Sequence, residues 1–277
     1  MTLSERNNVF KAGIALSSLC LLQCVLASIR AIPVYALMET EIGRRSGGIF
    51  QGLIGHLFDP KLLAVHCCIL AMVLYSLLSI IFTYYFFEKT QSPEILFVAF
   101  FIGSFSLEAL RLVLPIGWVY EIPSLYTLMA SRVIFFARHF GLFSLFAASV
   151  LAAGYRAQRQ RNIVFPIVAA ALVIALGVPI DTQIWDSSLN MINGYVPMFR
   201  LIEAGTFFIT IISFFIATWS RGSRNFIFIG IGSFLALLGR AVLLSADAWA
   251  MLPFGLAFLV IGTWLVCINL HNIYLWL

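Results

Sequence analysis

Charge is what this sequence has least of. Asp, Glu, Lys and Arg make up 10% of its 277 residues, where a soluble domain carries about 25%. A chain this poor in charge uses lipid as the solvent for most of its surface. No polar stretch long enough for a soluble domain stands at either end. The phosphate-binding glycine loop, HExxH, CxxC and GxSxG are all missing. No Lys/Arg run points to nucleic acid, because the net charge of +5 is small and scattered. The five cysteines, Cys20, Cys24, Cys67, Cys68 and Cys267, fall inside apolar runs. They read as small buried hydrophobes rather than a disulfide framework. No lysine lies midway along a late apolar run, which argues against a retinal Schiff base. No cofactor and no metal are expected. A metal would need His66 beside Glu108, Glu203 or Asp247, and a histidine at a span end reads first as interfacial.

What the sequence has in abundance is long apolar runs, with 62% of residues hydrophobic. A helix needs roughly 20 apolar residues to cross about 30 Å of hydrocarbon. The runs predict an all-α polytopic membrane protein with about eight spans, at 10–30, 62–87, 95–117, 125–154, 162–179, 198–219, 225–246 and 253–276. They are too long and too uniformly apolar for barrel strands. The first run exceeds the apolar core of a signal peptide and reads as a retained span. Segments 31–61 and 180–197 are apolar enough to lie on or dip into the membrane surface. Within the former, residues 49–58 show the apolar spacing of an interfacial helix.

Orientation follows from Lys and Arg in short loops. Arg6 and Lys11, then Arg156, Arg159 and Arg161, then Arg221 and Arg224 all fall on one side of eight spans. That side is expected to be cytoplasmic, with both chain ends in, in a plasma or bacterial inner membrane. Arg44 and Arg45 weaken the bias without reversing it. Trp118, Trp185 and Trp249 mark the outer boundary, and Trp219 and Trp276 the inner one.

Two stretches repeat. Ile102-Gly103-Ser104-Phe105 precedes Arg111 as Ile231-Gly232-Ser233-Phe234 precedes Arg240. The order of a proline and a later polar residue also matches, Pro60 with His66 and Pro197 with Glu203. These matches predict a tandem repeat of four spans plus four, residues 1–154 and 155–277. An even number of spans makes the halves parallel.

Ionisable groups inside spans are costly and mark sites or partners. Counting depth at about 1.5 Å per residue places Glu108, Arg111, Arg132, Arg200, Glu203, His66, Arg240 and Asp247 in the outer half. Arg138, His139 and His271 fall deeper, and Arg138 is rotated away from Arg132. One reading has these charges consumed in ion pairs, Glu108 with Arg111, Arg200 with Glu203 and Arg240 with Asp247. The other has Arg111, Arg132, Arg200 and Arg240, with Glu108, Glu203 and His66, lining an outward pocket. Arginine forks suit carboxylate or phosphate.

The pocket reading predicts a receptor-like or sensory module for a small anionic or amphiphilic ligand, and signalling would then need a partner protein. A transporter of an anionic or lipid-like substrate is the second class. An enzyme acting on lipid headgroups, with His66 or Glu203 as base, is the third; it lacks an identifiable nucleophile. Membrane lipids are partners in every case.

Overall fold

The structure, a computed structural model, describes residues 3–42, 61–90, 92–154 and 160–275. Helices α1 (Leu3–Ile42), α2 (Leu62–Phe87) and α3 (Glu94–Ser104) come first. A 3₁₀ stretch (Phe105–Leu112) then carries the third span into α4 (Val113–Val119). Next come α5 (Ser124–Ala152), α6 (Gln160–Gly177), strands β1 (Ile180–Trp185) and β2 (Met191–Asn193), α7 (Val196–Arg221), α8 (Asn225–Leu244) and α9 (Met251–Leu275). Helix accounts for 84% of the structure. Seven helical stretches are long and apolar enough to cross a membrane: Leu3–Arg30, Leu62–Phe87, Glu94–Gly117, Ser124–Ala152, Val196–Arg221, Asn225–Leu244 and Met251–Tyr274. The chain is an α-helical multi-pass membrane protein. Its lipid-facing surface is as apolar as its core, with Phe165, Leu201 and Trp219 among the most exposed side chains.

Six of the eight expected spans appear within about two residues of their predicted bounds, and the first, expected at 10–30, lies in α1, which starts at Leu3 and continues to Ile42 into the segment expected to leave the membrane. The eighth, 162–179, is the shorter helix Asn162–Gly177, with Pro166 inside α6. Segment 180–197 is folded back on itself. It turns back as an antiparallel hairpin, β1 against β2, before entering α7. Leu189 holds a left-handed backbone between the strands. The interfacial helix expected at 49–58, and Arg44 and Arg45, lie outside the described residues.

Lipid tails are as apolar as leucine, so close packing rather than water exclusion joins these helices. α8 and α9 show how. Gly232 and Gly239 lie seven apart on α8, and Gly255 and Gly262 seven apart on α9. A Cβ on Gly239 would stand 2.6 Å from the Leu259 nitrogen, and one on Gly262 2.5 Å from the Ala236 nitrogen. The two backbones touch, and only glycine permits it. Gly141 of α5 leaves room instead for the Ser104 side chain of α3.

The bundle has two distinct ends. At one, Arg6 donates to the carbonyls of Phe87, Glu88 and Thr90. Glu94, wholly buried at this end, accepts the Tyr274 hydroxyl at 2.8 Å. Arg221 donates to the Leu151 carbonyl at 2.9 Å and lies 3.8 Å from Glu94. These contacts bind the last turns of α2, α5, α7 and α9 to the starts of α1 and α3. At the other end sits the hairpin, where Ser187 donates to Asp247 and the Lys61 amide donates to the Asp247 carbonyl. α6 leaves α5 at the first end and delivers the chain to the second. It packs on α5 rather than on α7.

Candidate functional site

The site begins with the 3₁₀ stretch. Ser104 and Ser106 each donate their hydroxyl to the carbonyl three residues back, Phe101 and Gly103. Serines that bond backward in this way compete with regular α-helical bonding. At three residues per turn, side chains three apart eclipse one another. Phe105, Glu108 and Arg111 therefore stack in one row, all buried, and Ser106, Ala109 and Leu112 in the next. An α-helix would have fanned these residues apart.

Glu108 is the hub. Its carboxylate accepts from Arg138 Nε at 2.7 Å and Arg138 Nη2 at 2.7 Å, a two-pronged bond from α5. It also lies 3.5 Å from Arg111. Both arginines then reach past it to the hairpin. Arg111 donates to the Ser188 carbonyl, and Arg138 to Asn190 Oδ1 at 2.7 Å. Asp186 shapes that turn, because its Oδ1 accepts from the Ser188 amide, the Ser188 hydroxyl and the Asn190 amide. The hairpin is thus a roof pinned onto buried membrane charge. Nearby, Arg240 lies 3.4 Å from Glu203 and donates to the Arg138 carbonyl at 3.1 Å.

Under the roof is a cavity of about 350 Å³, bounded by α5, the hairpin and the start of α7. Arg138 and Arg200 reach it, with Ser131, and Ile134, Phe135 and Met191 are among its apolar walls. Ser131 is 8% exposed, and its hydroxyl has no hydrogen-bond partner among the described residues. Arg200 is exposed and makes no ion pair among the described residues.

The structure brings together Arg111, Glu108, Arg240 and Glu203 from the sequence-predicted set. Arg200 stands at the cavity. Arg132 is half-buried on α5, and its Nε has no hydrogen-bond partner among the described residues. His66 lies apart, its Nε2 2.7 Å from the Ser28 hydroxyl. The expected pairing of Arg200 with Glu203 is replaced by Arg240 with Glu203, and Asp247 engages Ser187 instead of Arg240.

Arg138 is the residue that the depth count misplaced. It is the closest partner of Glu108, not a deeper and separate charge. The signal was present: Glu108 and Arg138 each lie fourteen residues past the first residue of their helices. Consecutive spans run antiparallel, so such residues meet near mid-span. Ser131, Asn190 and the Ser188 carbonyl left no such trace, because nothing in the sequence announced the hairpin roof.

No protein-family model, curated protein or solved structure matches this chain.

Proposed function

We propose that the chain is a receptor-like membrane module that binds a small anionic or amphiphilic ligand through its outer face. The observation that carries this reading is the roofed cavity where Arg200 and the Ser131 hydroxyl meet no protein partner among the described residues. A buried donor left unsatisfied costs about 1–3 kcal/mol, and a bound anion would recover that. Arg111 and Arg138 hold the roof and the hub, and Arg240 pairs with Glu203, so the paired-charge reading accounts for these three. It leaves Arg200 and Ser131 without a role.

The outward assignment rests on charge. Arg6, Lys11, Arg221 and Arg224 belong to the end that carries Glu94, and the positive-inside rule makes that end cytoplasmic. The hairpin end then faces out. On this reading α6 makes the eighth crossing, since its 18 residues span about 27 Å. Both termini are cytoplasmic. The tandem repeat rests on the sequence matches alone: Gly103 packs on Ile80 of the preceding span, whereas its counterpart Gly232 packs on Gly262 of the following one. The halves are not separate bodies, because α6 packs on α5 and α9 on α2. A sensory role engages a separate signalling protein at the cytoplasmic end.

Transport is the competing reading, and flux separates the two. Protein reconstituted in liposomes is expected to bind small organic anions at its outer face without moving them inward. Saturable uptake that Arg200→Gln abolishes would make the protein a transporter instead.

A further inference from the structure

The charges at the cavity are unevenly matched. The two arginines Arg138 and Arg111 share Glu108, and the Asp186 carboxylate acts on both as the second counter-charge. Asp186 spends Oδ1 on three donors of its own turn. What remains unmatched is one guanidinium, Arg200, and one buried hydroxyl, Ser131. One free positive charge in a site with low-dielectric walls selects one negative charge, and a second would be left unpaired. Beyond these two groups the lining is mixed: Arg138, Asp186, Asn190 and Asn193 are polar, and Ile134, Phe135 and Met191 are among the apolar walls. A wholly hydrophilic anion would lay its polar atoms against those apolar walls.

Size narrows the choice further. At about 30 Å³ for each water-sized unit, a cavity of about 350 Å³ holds roughly a dozen non-hydrogen atoms. A two-chain phospholipid does not fit. A carboxylate on a single chain of about eight carbons does.

We infer that the cavity takes a single-chain amphiphile with one negative charge, its head on Arg200 and Ser131 and its tail along Ile134, Phe135 and Met191. This rests on the proposed outer ligand site and specifies its chemistry.

The test is equilibrium binding to the full chain in phosphatidylcholine nanodiscs, with octanoate, octanol and inorganic phosphate as probes. Octanoate is expected to bind saturably, above its partitioning into empty discs, and octanol and phosphate are not. Arg200→Gln and Ser131→Ala should each weaken octanoate about tenfold, as loss of a hydrogen bond to a charged group does. Arg200 has no protein partner to lose among the described residues, and Ser131→Ala removes one orphan hydroxyl. Both variants should elute as the parent does on size exclusion. Binding of phosphate but not octanoate, lost in Arg200→Gln, would overturn the amphiphile inference and leave the outer anion site standing. Octanol binding as tightly as octanoate would overturn it too, since the charge would then select nothing. If no probe binds, or if octanoate binding is unchanged in both variants, the inference and the proposed site fall together.

Discussion

Removing the Glu108 carboxylate would leave one buried and one partly buried guanidinium group without their shared partner. Arg111 is 1% exposed, and Arg138 depends on Glu108 for a two-pronged bond. Breaking a buried pair from one side costs about 3–5 kcal/mol. Glu108→Ala should therefore markedly lower the thermal midpoint of the purified protein in detergent, while Arg200→Gln should leave it unchanged. A midpoint unmoved by Glu108→Ala would mean that the hub is not formed. Tyr274→Phe tests the opposite end in the same way. It removes the hydroxyl that donates to buried Glu94, and a hydrogen bond to a charged group contributes about 1.5–3 kcal/mol. The midpoint should fall, by less than in Glu108→Ala. At this scale the sequence was half legible. Cost in lipid singled out Glu108, Arg111, Glu203 and Arg240 as residues with partners. It could not say which partners, because that depends on how spans rotate against each other. Hence Arg240 was matched with Asp247, which lies near it in sequence, while Glu203 on α7 takes it in the fold.

At the α8–α9 contact glycine sets how closely the helices approach. Gly239→Leu would drive a side chain into the Leu259 nitrogen and the Gly255 carbonyl, atoms that cannot step aside. It should part α8 from α9 and abolish recovery of monodisperse protein. Gly205→Ala on α7 meets nothing within 4 Å. It should fold normally and gain about 0.5–1 kcal/mol from helix propensity, read as a slightly higher midpoint. Span positions were legible because apolar length is a strong signal, and the third span was found to within a residue or two at each end. Its 3₁₀ interior was not, since Phe105–Leu112 contains neither proline nor glycine to mark it. The hairpin was hidden for a related reason. Ile180–Trp185 is short and apolar enough to pass for an interfacial stretch, and only pairing with Met191–Asn193 makes it a strand.

The molecule as a whole is lopsided: one end is stapled shut and the other roofed over a cavity. At the stapled end Arg6, Glu94, Arg221 and Tyr274 join helices from both halves of the chain. At the roofed end Arg111 and Arg138 hold a hairpin over buried space, with Arg200 and Ser131 left over. On the proposed reading the roofed face takes the ligand and the stapled face is held fixed. Reporter fusions should agree: a fusion after Arg224 is expected on the cytoplasmic side, and one within Asp186–Asn190 outside. Of the native cysteines, Cys20, Cys24, Cys68 and Cys267 are buried and Cys67 is half-buried, so a Cys67→Ser background leaves a single introduced thiol to label. Ser131→Cys in intact cells therefore tests the account most directly, using a small negatively charged thiosulfonate that does not cross membranes, added outside. The account predicts labelling from the outside, slowed severalfold by octanoate and not by octanol. Labelling only after the cells are opened, or labelling that octanoate leaves untouched, would contradict it.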